Sequence, residues 1–320
     1  ATDERALRMD ALYHDRLVPC YAHRPAHLDA MFRASVQRRA QALALEEGAY
    51  SLTYAQLDAQ VGRLAAGWAA RGIGRGDRVA LLLGNRMDFV VALLSLWRLG
   101  AIVVPIGIRQ SAAELEYMLG QCGACALVFE GSLADRLPRP DRIPGVRLFV
   151  HCLDADESPS VLQAAELSSV ALADIACEPA LAAYHGDFSD QSPACIMYTS
   201  GTTGHPKGAV LSHLGFFHTA RHYIHRFGYR PDDRMLLVIP GSHISGLLAA
   251  VVVTLQVGGC LVCMRQFDAL KVLRTMQDRS ITATVMVPAM YNLCLLQPEI
   301  GTYDLSAWRI GHFGGAAMPE

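Results

Sequence analysis

Lysine is nearly missing from this chain, and so is any long block of charge of one sign. Of 28 basic residues among 320, only Lys207 and Lys271 are lysines, and the formal net charge is −2. Such a chain has no field that would attract nucleic acid. No run approaches the ~18 consecutive apolar residues that span a bilayer, and the N-terminal stretch has no apolar segment of signal type. These absences predict a cytoplasmic protein without a membrane span.

Two common motifs of catalysis and cofactor binding are also missing. The chain contains no Gly-x-Ser-x-Gly sequence, so a serine hydrolase would lack the motif that presents its nucleophile. The glycines of Gly72–Gly76 precede a predicted strand, whereas a dinucleotide-binding fingerprint follows one. These glycines are therefore interpreted as a helix stop and a turn.

Cysteine and histidine spacings offer weak candidates for a metal site. The candidates are the pairs Cys122/Cys125 and Cys260/Cys263 and the histidines His218, His222 and His225. The two Cys-x-x-Cys pairs lie too far apart for a four-cysteine zinc site. The histidines share one face of a predicted helix, but no carboxylate accompanies them. The sequence therefore favours reduced thiols and histidines beside a binding cleft.

The most informative segment is Tyr198–Val210, which reads Tyr-Thr-Ser-Gly-Thr-Thr-Gly-His-Pro-Lys-Gly-Ala-Val. It follows the apolar stretch Ala194–Met197, which predicts a buried strand. Glycines let successive backbone N–H groups point at one anion, hydroxyls add donors, and Lys207 adds a mobile positive charge. A glycine-rich loop at the end of a strand is where α/β proteins bind phosphate groups. The alternative is a flexible Ser/Thr/Gly connector. The presence of one of the chain's only two lysines in this segment argues against that alternative.

This segment differs from the common phosphate loop, which requires Gly, four residues and then Gly-Lys-Ser/Thr. Here Lys207 precedes a glycine, and Ala209 stands where the magnesium-binding hydroxyl would follow. Ordinary nucleoside-triphosphatase chemistry is therefore disfavoured.

Helices and strands are predicted to alternate along the chain. The predicted helices are Tyr54–Arg71, Asp88–Leu99, Ser111–Gln121, Leu211–Phe227, Gly246–Leu255, Asp268–Arg279 and Ala289–Gln297. The predicted strands are Arg78–Leu83, Ile102–Val104, Ala124–Phe129, Val146–Val150, Met235–Ile239, Cys260–Met264, Thr282–Val287 and Arg309–Phe313. Alternation of this kind predicts an α/β protein with mostly parallel sheets covered by helices.

The segment Tyr198–Val210 resembles the signature loop of the adenylate-forming superfamily. That superfamily comprises AMP-forming acyl-CoA synthetases, adenylation domains of peptide synthetases and beetle luciferases. Other segments that resemble the family, in its order and spacing, are Leu52–Leu57, Gly76–Asn85, Pro240–Gly246 and Phe313–Pro319. The similarity runs from about residue 28 to the end of the chain.

The resemblance implies an incomplete form of the large N-terminal domain of these enzymes, with two stacked, mostly parallel sheets flanked by helices. It implies that residues 1–75 pack on the second lobe, that 76–205 form the first α/β lobe and that 206–320 form a truncated second lobe. The C-terminal domain would be absent. Because the chain ends before the family's Tyr-Gly-x-Thr-Glu segment and catalytic lysine, it is expected to make no acyl-adenylate alone.

The activity implied by the resemblance is ATP-dependent conversion of an apolar carboxylic acid, fatty or aryl, to an acyl-adenylate, followed by thioester formation with coenzyme A. ATP, Mg²⁺ and coenzyme A would be the cofactors. Three alternatives stay open: a non-catalytic nucleotide- or acyl-binding remnant, an adenylation domain that loads a carrier protein, and an unrelated phosphotransferase, which the loop disfavours. The oligomeric state is also open, with a homodimer among the alternatives.

The implied site residues come from three motifs of the family. Thr203, Lys207 and His243 would be catalytic, and Thr202 would meet the magnesium ion. The nucleotide-binding set is Thr199, Ser200, Gly201, Thr202, Thr203, Gly204, Lys207, Gly314, Gly315 and Ala316.

Ser242 stands where the family usually has an aromatic residue before the motif histidine, and it is expected to leave volume open at the pocket wall. A further set of apolar residues is expected either to face an apolar acyl or aryl group or to be core, since aromatic residues at helical spacing usually are core. This set is Phe216, Phe217, Tyr223, Ile224 and Ile244.

Overall fold

The structure is a computed structural model that describes residues 5–12, 16–154, 157, 160, 162, 167–177, 179–182, 188–199 and 205–318. The first strands are β1 (Leu7–Leu12), β2 (Arg16–Tyr21), β3 (Leu43–Glu47), β4 (Tyr50–Thr53), β5 (Arg78–Leu82), β6 (Ile102–Pro105), β7 (Ala124–Glu130) and β8 (Leu148–Cys152). The remaining strands are β9 (Val170–Ala171), β10 (Pro193–Thr199), β11 (Lys207–Ser212), β12 (Arg234–Leu237), β13 (Cys260–Cys263), β14 (Ala283–Met286) and β15 (Ile310–Phe313).

The helices lie between these strands. They are α1 (Leu28–Arg39), α2 (Tyr54–Ala70), α3 (Met87–Arg98), α4 (Ala112–Cys122), α5 (Leu172–Ile175), α6 (His213–Phe227), a π-helix (Ser245–Val252) that continues as α7 (Val253–Val257), α8 (Ala269–Asp278) and α9 (Pro288–Leu295). Short 3₁₀ segments cover Gly131–Arg136, Pro140–Arg142 and Ile300–Thr302. Capping boxes begin α2 at Thr53 and Gln56 and α4 at Ser111 and Glu114.

Two mostly parallel sheets form the frame, which confirms the predicted fold class. The seven-stranded sheet has the order β11-β10-β6-β5-β7-β8-β9, and all its pairs are parallel except β10 with β11. The six-stranded sheet has the order β15-β14-β12-β13-β3-β4, and only β3 with β4 is antiparallel. β1 and β2 form a separate hairpin.

The main hydrophobic core joins the two sheets through helices between them. One cluster of buried side chains takes Val79 and Leu81 from one sheet and Met235 and Leu237 from the other. The α3 helix is buried continuously over Phe89–Arg98, which is why its sequence lacks an amphipathic pattern. The carboxyl ends of the parallel strands therefore meet along one cleft.

An ion pair is buried within this layer. Arg98 Nε donates to Asp29 Oδ1 at 2.9 Å, and both side chains are 1% exposed. A second guanidinium nitrogen of Arg98 donates to Asp58 Oδ1 at 2.5 Å. Burial raises the pKa of the Asp29 carboxyl, and the charge of Arg98 offsets part of that rise.

The structure corrects the predicted helix Leu211–Phe227 at its start. The residues before it form β11, in which Val210 lies opposite Ile196 of β10. The Ser212 hydroxyl then accepts a hydrogen bond from the Gly215 N–H at 3.2 Å, so the helix begins at His213. Pairing with β10 overrides the local helical pattern.

The β1–β2 and β3–β4 hairpins were not predicted. β3 pairs with β13, so this early part of the chain extends the six-stranded sheet, whereas β11 extends the seven-stranded one. The division at residues 75 and 205 stays a prediction. All nine cysteines are free, and seven of them are buried. Among the described residues, no helix is long and apolar enough to cross a membrane.

Candidate functional site

The glycine-rich loop is anchored between two paired strands. Ser200, Gly201, Thr202, Thr203 and Gly204 lie outside the described residues, so their predicted roles stay predictions. The residues on either side are described: Thr199 ends β10, Lys207 begins β11, and the two are direct partners in the antiparallel pair. The Thr199 hydroxyl donates to the Lys207 carbonyl oxygen at 3.5 Å, and both side chains are exposed.

Aromatic contacts hold both ends of this loop against α4. The Tyr198 hydroxyl donates to the Met118 carbonyl oxygen at 3.0 Å and also to the Gln121 side chain. The His205 ring stacks on Tyr117 with centroids 4.7 Å apart. Burial raises the pKa of Tyr198, so its hydroxyl stays protonated and able to donate. The described residues on both sides of the loop are therefore held against α4.

The Pro240–Gly246 segment is a tight turn that leads into the π-helix. The His243 N–H donates to the Pro240 carbonyl oxygen at 3.0 Å, and the Leu247 N–H donates to the His243 carbonyl oxygen at 2.9 Å. A Cβ at Gly246 would overlap the Pro240 carbonyl oxygen, so only glycine fits there. The predicted helix Gly246–Leu255 is thus mostly π-helical, a geometry found frequently at functional sites.

Asn85 fixes this turn to the ends of three strands. Its side-chain amide nitrogen lies 3.3, 2.9 and 3.2 Å from the carbonyl oxygens of Leu237, Ile239 and Met264. Its side-chain oxygen accepts the Gly241 N–H at 2.8 Å. Asn85 is 2% exposed and lies three residues after the end of β5, an interior strand of the other sheet. One amide therefore joins the two sheets beside His243.

Two cavities open on either side of the turn. The smaller, of about 280 Å³, lies between α6, the π-helix and the ends of β14 and β15, and is lined by Tyr223, Phe227, Ser245, Ala249, His312 and Gly314. The larger, of about 650 Å³, lies at the strand ends of both sheets and is lined by Asn85, Gly107, Arg109, Ser242, His243 and Arg265.

The predicted site residues are distributed over these cavities and their surroundings. His243 and Ser242 line the larger cavity, and Gly314 lines the smaller one. Gly315 adopts φ +81° in the turn after β15, and Ala316 is exposed beside it. Because Ser245 lines the smaller cavity and His243 the larger, the turn forms the wall between them.

Of the apolar residues singled out in the sequence, Tyr223 lines the smaller cavity. Phe216 and Phe217 are core, and Ile244 is 44% exposed. The sequence reasoning overlooked His312, which interrupts an otherwise apolar strand end just before Gly314 and Gly315 and could have been noticed for that reason.

Comparison with known proteins places these features in a family. A family model described as "AMP-binding enzyme" matches residues 32–320. The chain is 33% identical over 291 residues to the long-chain-fatty-acid–CoA ligase FadD13 of Mycobacterium tuberculosis, covering 90% of this chain and 54% of that protein. It is 31% identical over 283 residues to a feruloyl-CoA synthase of Amycolatopsis, covering 87% of this chain and 52% of that protein.

A solved structure has the same fold. The N-terminal domain of FACL13 from Mycobacterium tuberculosis, bound to an inhibitor, superposes with a TM-score of 0.77 at 31% identity and covers 92% of this chain and 71% of that one. The chain spans about half the length of the curated relatives it matches.

Proposed function

Because the chain belongs to the family of AMP-binding enzymes, we propose that its protein uses ATP to convert an apolar carboxylic acid, fatty or aryl, into an acyl-adenylate and then into a thioester of coenzyme A. The observation that carries the proposal is the position of the Pro240–Gly246 turn, with His243 in the wall between two cavities. Such an arrangement suits a reaction in which one carboxyl group meets ATP first and a thiol second.

In the first step a carboxylate oxygen bonds to the α-phosphorus of ATP, and the bond from that phosphorus to pyrophosphate breaks. Charge neutralisation and positioning are the main contributions a protein makes to such a transfer. Lys207 is suited to this task, since it is exposed at the base of the loop and forms no ion pair with a described carboxylate. The Thr199 hydroxyl beside it adds a donor.

Mg²⁺ would supply positive charge to the departing pyrophosphate, with Thr202 as the predicted ligand. In the described part of the chain no three His, Cys, Asp or Glu side chains are grouped to hold a metal ion.

The smaller cavity suits the body of the acid, because all but a few of its lining groups are apolar or aromatic. In the second step a thiol attacks the acyl carbon, AMP leaves with the bonding electrons, and the thiol proton passes to solvent. The larger cavity lies on the other side of the Pro240–Gly246 turn, and the exposed Arg109 lies at its margin. We assign the thiol to this cavity, where a positive rim suits a phosphate-bearing carrier arm.

The experiment is carboxylate-dependent exchange of pyrophosphate into ATP, measured on the longest natural form of the protein. Lys207→Ala is expected to slow exchange by about a hundredfold, because one charge-stabilising donor is lost. Lys271→Ala is the matched control, since this other lysine is exposed on α8, the helix that follows β13 in the sequence. Equal exchange rates in the two variants would refute the role of Lys207.

Assays on the same protein distinguish this proposal from two alternative functions. Nucleotide binding without any exchange would indicate a non-catalytic remnant. Exchange followed by acyl transfer to a phosphopantetheinyl carrier protein, but not to coenzyme A, would indicate a carrier-loading adenylation domain.

A further inference from the structure

His312 is the polar group of the smaller cavity that the proposed reaction leaves unexplained. It lies in β15 opposite Val285 of β14, on the side of the sheet covered by α6. Its Nδ1 lies 3.3 Å from the Tyr229 hydroxyl. Its Nε2 is buried and has no hydrogen-bond partner among the described residues. An unsatisfied buried nitrogen of this kind costs roughly 1–3 kcal/mol, so it needs an explanation.

The surroundings of His312 are aromatic. The Phe227 ring lies edge-on with its centroid 3.9 Å from that of His312, and the Tyr223 ring is 5.5 Å away. Phe227 is the last residue of α6 and is 44% exposed. Both rings line the smaller cavity.

The imidazole is held in its neutral form. Burial lowers the pKa of His312, and no described carboxylate forms an ion pair with it. In a neutral ring, Nε2 is a donor if Nδ1 accepts a hydrogen bond from the Tyr229 hydroxyl, and it is an acceptor if Nδ1 donates to that hydroxyl. A hydroxyl group satisfies both cases, because it can donate and accept, whereas a carbonyl or carboxylate oxygen satisfies only the case in which Nε2 donates.

Cavity size limits the rest of the ligand. At about 280 Å³ the space is just below the usual range for ligand pockets. Its aromatic walls favour a flat ring through stacked and edge-on contacts. A long acyl chain would have to leave this cavity, whereas a single ring fills it.

We propose that the acid activated at this site is an aromatic acid whose ring carries a hydroxyl group, and that this hydroxyl hydrogen-bonds to Nε2 of His312. The inference rests on the proposed function, because it takes the smaller cavity as the place where the acid is bound. His312 is then the residue that selects the substrate.

The test is binding of non-reactive acyl-adenylate analogues, sulfamoyl adenosines that carry benzoyl, 4-hydroxybenzoyl, 4-hydroxycinnamoyl or dodecanoyl groups, to the longest natural form of the protein by calorimetry. At least one hydroxylated aryl analogue is expected to bind about tenfold or more tighter than the benzoyl and dodecanoyl analogues. His312→Leu is expected to remove this preference while changing benzoyl binding by less than about threefold. His312→Gln, whose amide also donates and accepts, is expected to restore part of it.

His222→Leu is the matched control, because this exposed histidine lies on another face of α6 and bonds to Tyr21. A readout that needs no variant is the ¹⁵N chemical shift of His312 Nε2, which is expected to move with a hydroxylated analogue and not with the benzoyl one. Equal binding of hydroxylated and plain aryl analogues, or tighter binding of the dodecanoyl analogue, overturns the inference alone. Failure of every analogue to bind overturns the proposed function as well.

Discussion

Replacing Asn85 with aspartate is expected to weaken the junction of the two sheets in a way that depends on pH. The change keeps the shape and the oxygen that accepts the Gly241 N–H at 2.8 Å. It replaces the amide nitrogen, which lies 2.9 to 3.3 Å from three carbonyl oxygens, with a second oxygen. Two donated hydrogens are lost, and a negative charge faces three carbonyl dipoles.

The magnitude follows from the number of groups left without a partner. Each buried polar group without a partner costs about 1–3 kcal/mol, and at least two carbonyl oxygens lose theirs. Above neutral pH we therefore expect Asn85→Asp to lower the free energy of unfolding by about 3–5 kcal/mol. The carboxyl would have its pKa raised in the folded state, above the unfolded value of about 3.9. The penalty is then smallest near pH 4, where the protonated carboxyl still donates one hydrogen, and it grows as the pH rises through the folded-state pKa.

Asn292→Asp provides the control, because Asn292 is exposed on α9 and is the chain's other asparagine. Chemical denaturation of the wild type and both variants at pH 4.5, 6 and 8 measures the differences. Asn292→Asp should stay within about 0.5 kcal/mol of the wild type. If the two variants behave alike, or if the Asn85→Asp difference does not grow with pH, the contacts of Asn85 do not join the sheets as described.

Three further changes are expected to have measurable effects. Arg98→Met leaves the Asp29 carboxyl, 1% exposed, without its partner and should cost about 3–5 kcal/mol in denaturant unfolding, whereas equal stability would show that the pair contributes nothing. Burial lowers the pKa of His213 to about 3, so between about pH 6.5 and 3 the unfolded state binds a proton that the folded state does not bind. His213→Gln should therefore reduce the loss of stability over this range by up to about 1.4 kcal/mol per pH unit. An unchanged dependence of the unfolding free energy on pH would contradict this. Gly246→Ala should distort the turn and lower the thermal midpoint, while Gly120→Ala, where a Cβ meets nothing within 4 Å, should raise it slightly; similar midpoints would refute the tight turn.

Helix starts could be predicted from sequence wherever the determinant is local. The capping pairs at Thr53 and Ser111 place the starts of α2 and α4, since a cap involves residues only three apart. The strand β11 could not be predicted in this way, because its conformation depends on pairing with β10. The sequence likewise predicts a helix after Gly246 but not its π-helical geometry.

The candidate site was predicted only in part for the same reason. Resemblance pointed to His243 and Gly314, but which cavity each one lines depends on how the turn sits between the sheets. The contacts of Asn85 could not be predicted, because its hydrogen-bond partners lie 152 to 179 positions away in the sequence. The loop predictions at Ser200–Gly204 stay predictions.

The burial of the cysteines bears on the chemistry proposed for this protein. An acyl-adenylate is a mixed anhydride that would transfer its acyl group to any thiolate within reach. Burial raises the pKa of Cys152, Cys195 and Cys263 far above neutrality, so these side chains stay as unreactive thiols. None of the nine cysteines lines either cavity. A protein built this way is protected from acylating itself, and the activated acid is left for the thiol that arrives from outside.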